Sequence, residues 1–253
     1  MLLPAKKLKE KIASGSPVVG LMAMDHVWPL LVELCMQSGL DYLVVDCEHG
    51  SHSDEQVERV CQTARLAQFP VLVRAISCEP SVLRRIMDLG ACGLILPCVN
   101  DVDQVEAIQE AILMPPRGKR RPGGMGNYWM RDVQYANWRD DFEAHVIVVP
   151  QIETRVGVEN AVEIAAHPLV TALGLGPYDL AADLGCCWDP ENPEHKAAVR
   201  RITEAADSAG KKLWIGIDGP KLRAEGHTFL WIGTESTVLR GSLSATVQAI
   251  NGK

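Results

Sequence analysis

The chain has 253 residues, of which 47% are hydrophobic and 23% charged, and its formal net charge at pH 7 is -7. This length and composition are typical of one globular α/β barrel with a sizeable core. The negative net charge gives no basic footprint for a nucleic acid or an anionic membrane surface. We therefore expect a small-molecule partner, with no nucleic acid and no membrane.

The cysteines indicate a reducing compartment. Eight of them lie mostly in apolar segments, and no two form a C-x-x-C pair, which favours reduced thiols over a disulfide framework or a zinc knuckle. The apolar stretch before the first lysines is too short for a signal peptide, and no run approaches about eighteen apolar residues. We therefore expect a cytoplasmic protein.

Short apolar runs alternate with helical patterns along the whole chain. The eight runs that predict strands are VVGLMAM (18–24), YLVVDCE (42–48), PVLVRAI (70–76), GLILPCV (93–99), VIVVPQIE (146–153), VTALGLG (170–176), KLWIGI (212–217) and TFLWIG (228–233). The helical patterns between them include 28–39, 53–68, 80–90 and 101–113, and several open on Ser, Asp or Pro and close on Gly.

Strands that are apolar on both faces, with helices between them, are typical of a parallel sheet covered by helices. Eight such units predict a (β/α)8 TIM barrel that occupies residues 1–253 as a single domain. The alternative is a doubly wound open sheet, which normally has a G-x-G-x-x-G turn after its first strand, and VVGLMAMDHVW lacks this turn. The one long irregular stretch is 114–132, rich in Pro, Gly and Arg.

Polar side chains end four of the predicted strands or follow them directly. They are Asp46, Glu48 and His49 at strand two, Arg74 at strand three, Gln151 and Glu153 at strand five, and Asp179 after strand six. Catalytic residues of such barrels lie at the carboxyl ends of the strands. The sequence therefore predicts a reaction centre at this rim.

The carboxylates of Glu153 and Asp179 suit a hard divalent cation such as Mg²⁺ or Mn²⁺, with open positions left for water and substrate oxygens. The alternative is that Glu153 forms only an exposed ion pair with Arg155. His49 follows Asp46 by three residues, so it is either a base oriented by a carboxylate or a solvated loop histidine. A zinc pair of His49 and His52 lacks a third ligand at helical spacing.

Lysines are absent where a Schiff base would need one. None occurs between Lys11 and Lys119, and Lys212 lies at the amino end of strand seven. A Schiff-base mechanism requires a buried lysine aimed at the substrate carbonyl. Carbonyl chemistry in this barrel would instead use a metal ion as Lewis acid to stabilise an enolate.

Seven motifs in order resemble one family. DCEHG, VLVRA, RRIMDLGA, LPCV, PPRGKRR, VPQIETRVGVEN and GLGPYDLAADLG look like the HpcH/HpaI aldolase family, the class II metal-dependent pyruvate aldolases of the 4-hydroxy-2-oxoheptanedioate and 2-keto-3-deoxyglucarate aldolase type. The resemblance implies reversible aldol cleavage of a 4-hydroxy-2-oxo acid to pyruvate and an aldehyde through a metal-stabilised enolate. It also implies a homo-oligomer, a hexamer in this family.

The resemblance also implies roles for the residues at the rim. Glu153 and Asp179 would hold the divalent ion, which is Mg²⁺, Mn²⁺ or Co²⁺. Arg74 would stabilise the enolate at the keto oxygen. His49, oriented by Asp46, would assist proton transfer at the C4 hydroxyl.

For substrate binding, the resemblance points to Gln151 and to the backbone N–H groups of Tyr178 and Asp179 at the start of a helix. Asp88 matches a family acid that we expect behind the site or at a neighbouring subunit's site. Three departures concern the pocket for the distal half of the substrate. They are Met22 in place of a tryptophan, Arg121-Pro122 in place of a Gly-containing turn, and a short unit after strand seven.

Two other functions stay open on the sequence. The same metal enolate would serve decarboxylation of oxaloacetate or a similar β-keto acid, as in relatives that resemble macrophomate synthase. A barrel that only binds a ligand and has lost its chemistry predicts gaps among the metal ligands and the arginine, and the sequence has no such gap.

Overall fold

The computed structural model describes residues 2–123, 134–187, 189 and 191–252. Its strands are β1 (Val18–Ala23), β2 (Tyr42–Asp46), β3 (Val71–Arg74), β4 (Gly93–Leu96), β5 (Ile147–Ile152), β6 (Ala172–Leu175), β7 (Lys212–Gly216) and β8 (Phe229–Thr234). All neighbours pair in parallel, and β8 pairs with β1 to close the barrel. The predicted (β/α)8 TIM barrel is confirmed, and the open-sheet alternative is wrong.

Helices connect the strands on the outside. They are α1 (Leu2–Ser14), α2 (Leu30–Gln37), α3 (Asp54–Ala67), α4 (Pro80–Leu89), α5 (Val102–Ile112), α6 (Tyr135–His145), α7 (Arg155–Ala166), α8 (Pro177–Asp183), α9 (Pro193–Ser208), α10 (Gly219–Ala224) and α11 (Glu235–Ile250). A capping box between Ser53 and Gln56 starts α3, and Pro80 occupies the first turn of α4. None of the helices in the described ranges is long and apolar enough to cross a membrane.

Two segments that the sequence predicted to be short or irregular are the unit after β7 and the stretch 114–132. The unit after β7 is short, as predicted, because α10 has only six residues and buries none of its side chains. Of the stretch 114–132, the part from residue 124 onward lies outside the described residues. The described start of this stretch has no helix or strand, and it buries Met114 and Arg120.

Apolar side chains fill the space between the sheet and the helices, and a second cluster fills the inside of the barrel. Ala5, Leu8 and Ile12 of α1 belong to the inner cluster together with residues near the amino ends of the strands, such as Val18 and Phe229. The amino-terminal end of the barrel is therefore closed by α1. The carboxyl-terminal end is left for the site.

Tyr42 joins three strands inside the barrel. Its hydroxyl donates to the Leu230 carbonyl oxygen at 2.7 Å and accepts from Trp214 Nε1 at 2.8 Å. The Tyr42 side chain is fully buried. The Leu230 carbonyl and the Trp214 indole N–H therefore rely on this hydroxyl for a hydrogen bond, because no solvent reaches them.

Replacing Tyr42 by phenylalanine should lower the free energy of unfolding by about 1–3 kcal/mol, because the Leu230 carbonyl and the Trp214 indole N–H lose a buried partner. Urea denaturation followed by circular dichroism measures the change. The matched control is Tyr135→Phe on an exposed ring, for which we expect a change within about 0.5 kcal/mol. A Tyr42→Phe loss no larger than this control would contradict the role of the hydroxyl.

Candidate active site

The carboxyl ends of the strands open into a cavity of about 710 Å³. Six residues that the sequence singled out line it, and these are Met22, His49, Arg74, Gln151, Tyr178 and Asp179. Two more lie directly beside this lining, since Asp46 binds Arg74 and Glu153 binds Gln151. The structure therefore brings together side chains from four strand ends, as the sequence predicted for this rim.

Arg74 and Asp46 form a buried, bidentate ion pair. Arg74 Nε lies 2.8 Å from Asp46 Oδ1, and Nη2 lies 2.6 Å from Oδ2. The remaining nitrogen, Nη1, lies 3.2 Å from Glu48 Oε2. Burial by itself lowers the pKa of Arg74, but the hydrogen-bonded carboxylate of Asp46 and the charge of Glu48 raise it on balance. Arg74 is therefore a fixed positive charge with a defined plane.

The Asp46 carboxylate does not orient the His49 ring in the way we expected. Its Oδ1 atom accepts the backbone N–H groups of Glu48 at 3.0 Å and His49 at 3.4 Å, and both of its oxygens also bind Arg74. Asp46 thus fixes the loop that carries His49 rather than the imidazole itself. The proton-transfer role of His49, whose side chain lines the cavity, stays a prediction.

Glu153 carries a buried carboxylate whose two oxygens have different partners. Cys98 N–H donates to Oε1 at 2.7 Å, and Gln151 Nε2 donates to Oε2 at 3.1 Å. Burial raises the pKa of Glu153 to about 7; the Cys98 N–H opposes this rise, and the charges of Glu48 and Asp179 add to it. Such a carboxylate is stabilised by any cation that binds beside it.

Gly176 makes room for this carboxylate where α8 begins. A Cβ atom at Gly176 would overlap Glu153 Oε2, so the chain leading to Asp179 passes directly over Glu153. The alternative that Glu153 only pairs with Arg155 is wrong. The Arg155 guanidinium binds Glu194 instead, with Nη1 at 2.6 Å from Oε1.

The surroundings of Glu153 and Asp179 fit a hard divalent cation. Burial raises the pKa of Glu48 as well, and the charge of Asp179 adds to the rise at both Glu48 and Glu153. Gln151 Oε1 is buried without a hydrogen-bond partner. Within the described ranges, no group of three or more His, Cys, Asp or Glu side chains forms a closed metal site. Two carboxylates with open positions are the donor set that Mg²⁺ or Mn²⁺ accepts.

Asp88 lies at the opposite end of the barrel from this cavity. It is the last residue but one of α4, just before the amino end of β4. Its Oδ1 atom accepts from Arg120 Nη2 at 2.9 Å and from Gly123 N–H at 3.2 Å. Asp88 is not among the described residues that line this cavity, and it anchors the start of the stretch 114–132. Its reach into a neighbouring subunit's site stays a prediction.

Two groups at the site had no assigned role in the sequence reasoning. Glu48 is the second carboxylate beside Arg74, and its position two residues after Asp46, at the end of the predicted strand 42–48, was the available signal. The backbone N–H of Cys98 holds Glu153, and Cys98 has a φ of 51°. No side-chain pattern indicates a backbone donor of this kind.

The metal-free protein should lose stability as the pH rises from about 4.5 to about 7 because of Glu153. In this window the folded state holds a proton at Glu153 that the unfolded chain, with an ordinary pKa of 4.5, has already released. Urea denaturation in chelator near pH 5 and pH 7.5 measures the change. Wild type should lose more stability between these values than Glu153→Gln does. Equal losses would contradict the raised pKa.

Comparison with known proteins places this geometry in a family. The chain is 29% identical over 226 residues to a hydroxypyruvate/pyruvate aldolase of Chromohalobacter salexigens, with 87% of this chain and 88% of that protein covered. It is 28% identical to a 4-hydroxy-2-oxo-heptane-1,7-dioate aldolase of Salmonella typhimurium, with 91% and 89% covered.

A crystal structure of an HpcH/HpaI aldolase from Desulfitobacterium hafniense superposes with a TM-score of 0.88 at 29% identity, and 96% of each chain is covered. Residues 24–241 match the sequence profile of the HpcH/HpaI aldolase/citrate lyase family. This match spans most of the chain and confirms the resemblance seen in the motifs. The chain belongs to the HpcH/HpaI aldolase/citrate lyase family.

Proposed function

We propose that this protein is a metal-dependent aldolase that reversibly cleaves a 4-hydroxy-2-oxo acid to pyruvate and an aldehyde. One observation carries the proposal. A guanidinium held by Asp46 and Glu48 lines the same cavity as the carboxylate of Asp179, and the Glu153 carboxylate lies directly beside that lining, bound to Gln151. A positive group for an enolate and a donor set for a divalent ion are thus adjacent. Similarity to named aldolases supports the same reaction.

The pyruvyl half of the substrate would bind at the polar side of the cavity. Glu153 and Asp179 would hold Mg²⁺, Mn²⁺ or Co²⁺, which when bound supplies Lewis acidity toward the carboxylate and keto oxygens of the oxo acid. Gln151 and Tyr178 line the same side. In this proposal Gln151 and the backbone N–H groups of Tyr178 and Asp179 orient the substrate.

Cleavage needs a base at C4 and a positive group where the enolate forms. His49 takes the proton of the C4 hydroxyl, directly or through one water. As the C3–C4 bond breaks, its electron pair forms the C2–C3 double bond, the keto oxygen becomes the enolate oxygen, and C4 leaves as the aldehyde. Arg74, fixed by Asp46, stabilises the negative charge on that oxygen. The proton taken from the hydroxyl is returned to C3, which gives pyruvate.

The test compares aldol cleavage with decarboxylation of oxaloacetate, which needs the enolate but no base at a C4 hydroxyl. With Mg²⁺ present, wild type should cleave a 4-hydroxy-2-oxo acid. His49→Ala should lower this cleavage by roughly 10²-fold and slow decarboxylation much less. His145→Ala at the end of α6 is the matched control, with both rates unchanged.

Two results would contradict the proposal. Decarboxylation without any aldol product would show that the enzyme is a decarboxylase. Equal losses of both reactions in His49→Ala would show that His49 serves the metal site or the fold instead of the C4 proton.

We further propose that the protein is a homo-oligomer, a hexamer by the family resemblance. α11 buries none of its side chains, and its exposed apolar residues are Val238, Leu239, Leu243, Val247 and Ile250. An apolar face of this kind is typical of a protein interface. The mass of the protein in solution, measured by light scattering, tests this oligomeric state.

We also propose a cytoplasmic location, which the free thiols of all eight cysteines support.

A further inference from the structure

We propose that the aldehyde released by this enzyme is apolar and uncharged, and that Ile217 is a specificity-determining residue for it. The inference rests on the proposed function and names the substrate class of the same cavity. It follows from the composition of the cavity wall, from the charges around the cavity and from the backbone conformation of Ile217.

One side of the cavity, formed by β1, β7, β8 and the residues that follow them, is apolar. We call it the apolar wall, and its residues are Met22, Met24, Trp214, Ile217, Trp231, Ile232 and Val238. The Trp214 and Trp231 rings stack with their centroids 5.6 Å apart. A Cβ atom at Gly216 would overlap the Trp231 ring, so this indole lies flat against the backbone of β7. The wall therefore has an aromatic floor.

The only hydroxyls that the described residues place on this side already have partners. Thr234 and Thr237 stand where α11 begins, and Thr237 N–H donates to Thr234 Oγ1 at 3.2 Å. Thr237 Oγ1 in turn donates to the Thr234 carbonyl oxygen at 2.8 Å. The Thr234 hydroxyl thus caps the helix, and the Thr237 hydroxyl is bound to the same residue. The one donor of the described wall residues without a partner is Trp231 Nε1, which is buried. A polyhydroxylated aldehyde would therefore lose more hydration here than it regains in hydrogen bonds.

The charges around the cavity disfavour an aldehyde that carries its own carboxylate. Among the described lining residues, Arg74 is the only lysine or arginine, and the two carboxylates of Asp46 and Glu48 beside it outnumber its single charge. In the proposed function, Glu153 and Asp179 balance the charge of the divalent ion. The described residues of the apolar wall include no lysine or arginine, so an acidic aldehyde would lose hydration there without gaining a cation, whereas a neutral apolar aldehyde would bury its chain against the wall.

Ile217 follows β7 directly and has a φ of 92°. This conformation is unfavourable for a β-branched residue and persists only where the surroundings impose it, which occurs preferentially at ligand sites. The Ile217 N–H donates to the Trp231 carbonyl oxygen at 3.1 Å, which helps to hold the turn. Its side chain, 48% exposed, lines the cavity. A strained backbone therefore presents an aliphatic group at the edge of the apolar wall.

The experiment measures kcat/KM for aldol addition of pyruvate to three aldehydes, butanal, glyceraldehyde and 4-oxobutanoate, with Mg²⁺. Wild type should prefer butanal by at least about 10-fold because its chain buries apolar area. Ile217→Lys places a cation at the wall and should reverse the order, raising 4-oxobutanoate and lowering butanal by about 10-fold each. The matched control is Val162→Lys on the exposed surface of α7, in which all three values should stay unchanged.

A second variant keeps the test decisive if Ile217→Lys does not fold. Ile217→Gly suits the φ of 92°, so it should melt no lower than wild type and lose at least about 5-fold of the butanal preference. Wild type that prefers 4-oxobutanoate or glyceraldehyde would overturn the inference and leave the aldolase proposal standing. Wild type that neither forms aldol product nor exchanges the methyl protons of pyruvate with solvent would overturn both.

Discussion

Replacing either Glu153 or Asp179 by alanine should abolish turnover, with a loss on the order of 10³-fold or more, because these are the two protein carboxylates assigned to the divalent ion. Glu153→Gln separates charge from packing, since an amide can still accept the Cys98 N–H and fills the same volume. The expected result is a folded protein with the same loss of activity. The measurement is kcat/KM together with calorimetric titration of Mn²⁺, whose binding should weaken in each variant.

Glu163→Ala, at an exposed acid of α7, is the control and should retain full activity and Mn²⁺ affinity. Chelation should inactivate wild type, and Mg²⁺, Mn²⁺ or Co²⁺ should restore it. Full activity after exhaustive chelation would exclude the class II reaction for this protein.

Replacing Arg74 by alanine should lower the rate by about 10²-fold or more, the usual cost of removing a preorganised donor from a developing oxyanion. It should also lower the free energy of unfolding by about 3–5 kcal/mol, because Asp46 would stay buried without its cation. Arg74→Lys should restore activity poorly. One ammonium group does not reproduce two parallel bonds to Asp46 and a third contact to Glu48.

The double variant Arg74→Ala with Asp46→Asn distinguishes the two losses. Removing the charge of Asp46 should recover much of the stability, while the rate should stay low. An Arg74→Ala enzyme with an unimpaired rate would place Arg74 in a purely structural role. A double variant that recovers both stability and rate would likewise show that the role of Arg74 is purely structural.

The barrel was predictable from the sequence because its strands are apolar on both faces. The run 146–153, for example, corresponds to β5 at Ile147–Ile152. The active rim was predictable for a related reason, since Arg74 and Gln151 are polar residues at the ends of strands whose other residues are buried. A charged or amide side chain at that point of a barrel needs a partner or a ligand.

The partner of each polar side chain was less predictable, because it depends on contacts between distant segments. A spacing of three residues suggested that Asp46 would bind the His49 ring, but strand register places Asp46 directly beside Arg74. The position of Asp88 followed from where α4 ends rather than from its motif. The conformation of Ile217 depends on the turn after β7, and no local propensity favours a positive φ for isoleucine.

In the proposed function, this cavity forms the enolate of pyruvate with a divalent ion and without a Schiff base. The most direct measurement is exchange of the pyruvate methyl protons in D₂O, followed by proton NMR with the enzyme and Mg²⁺ and without any aldehyde. We expect enzyme-dependent exchange that stops on chelation and that is slower in Arg74→Ala. Treatment with borohydride and pyruvate should not inactivate the enzyme, because no Schiff base is present to be trapped. Exchange that persists after exhaustive chelation, or a covalent pyruvate adduct after borohydride, would contradict the account.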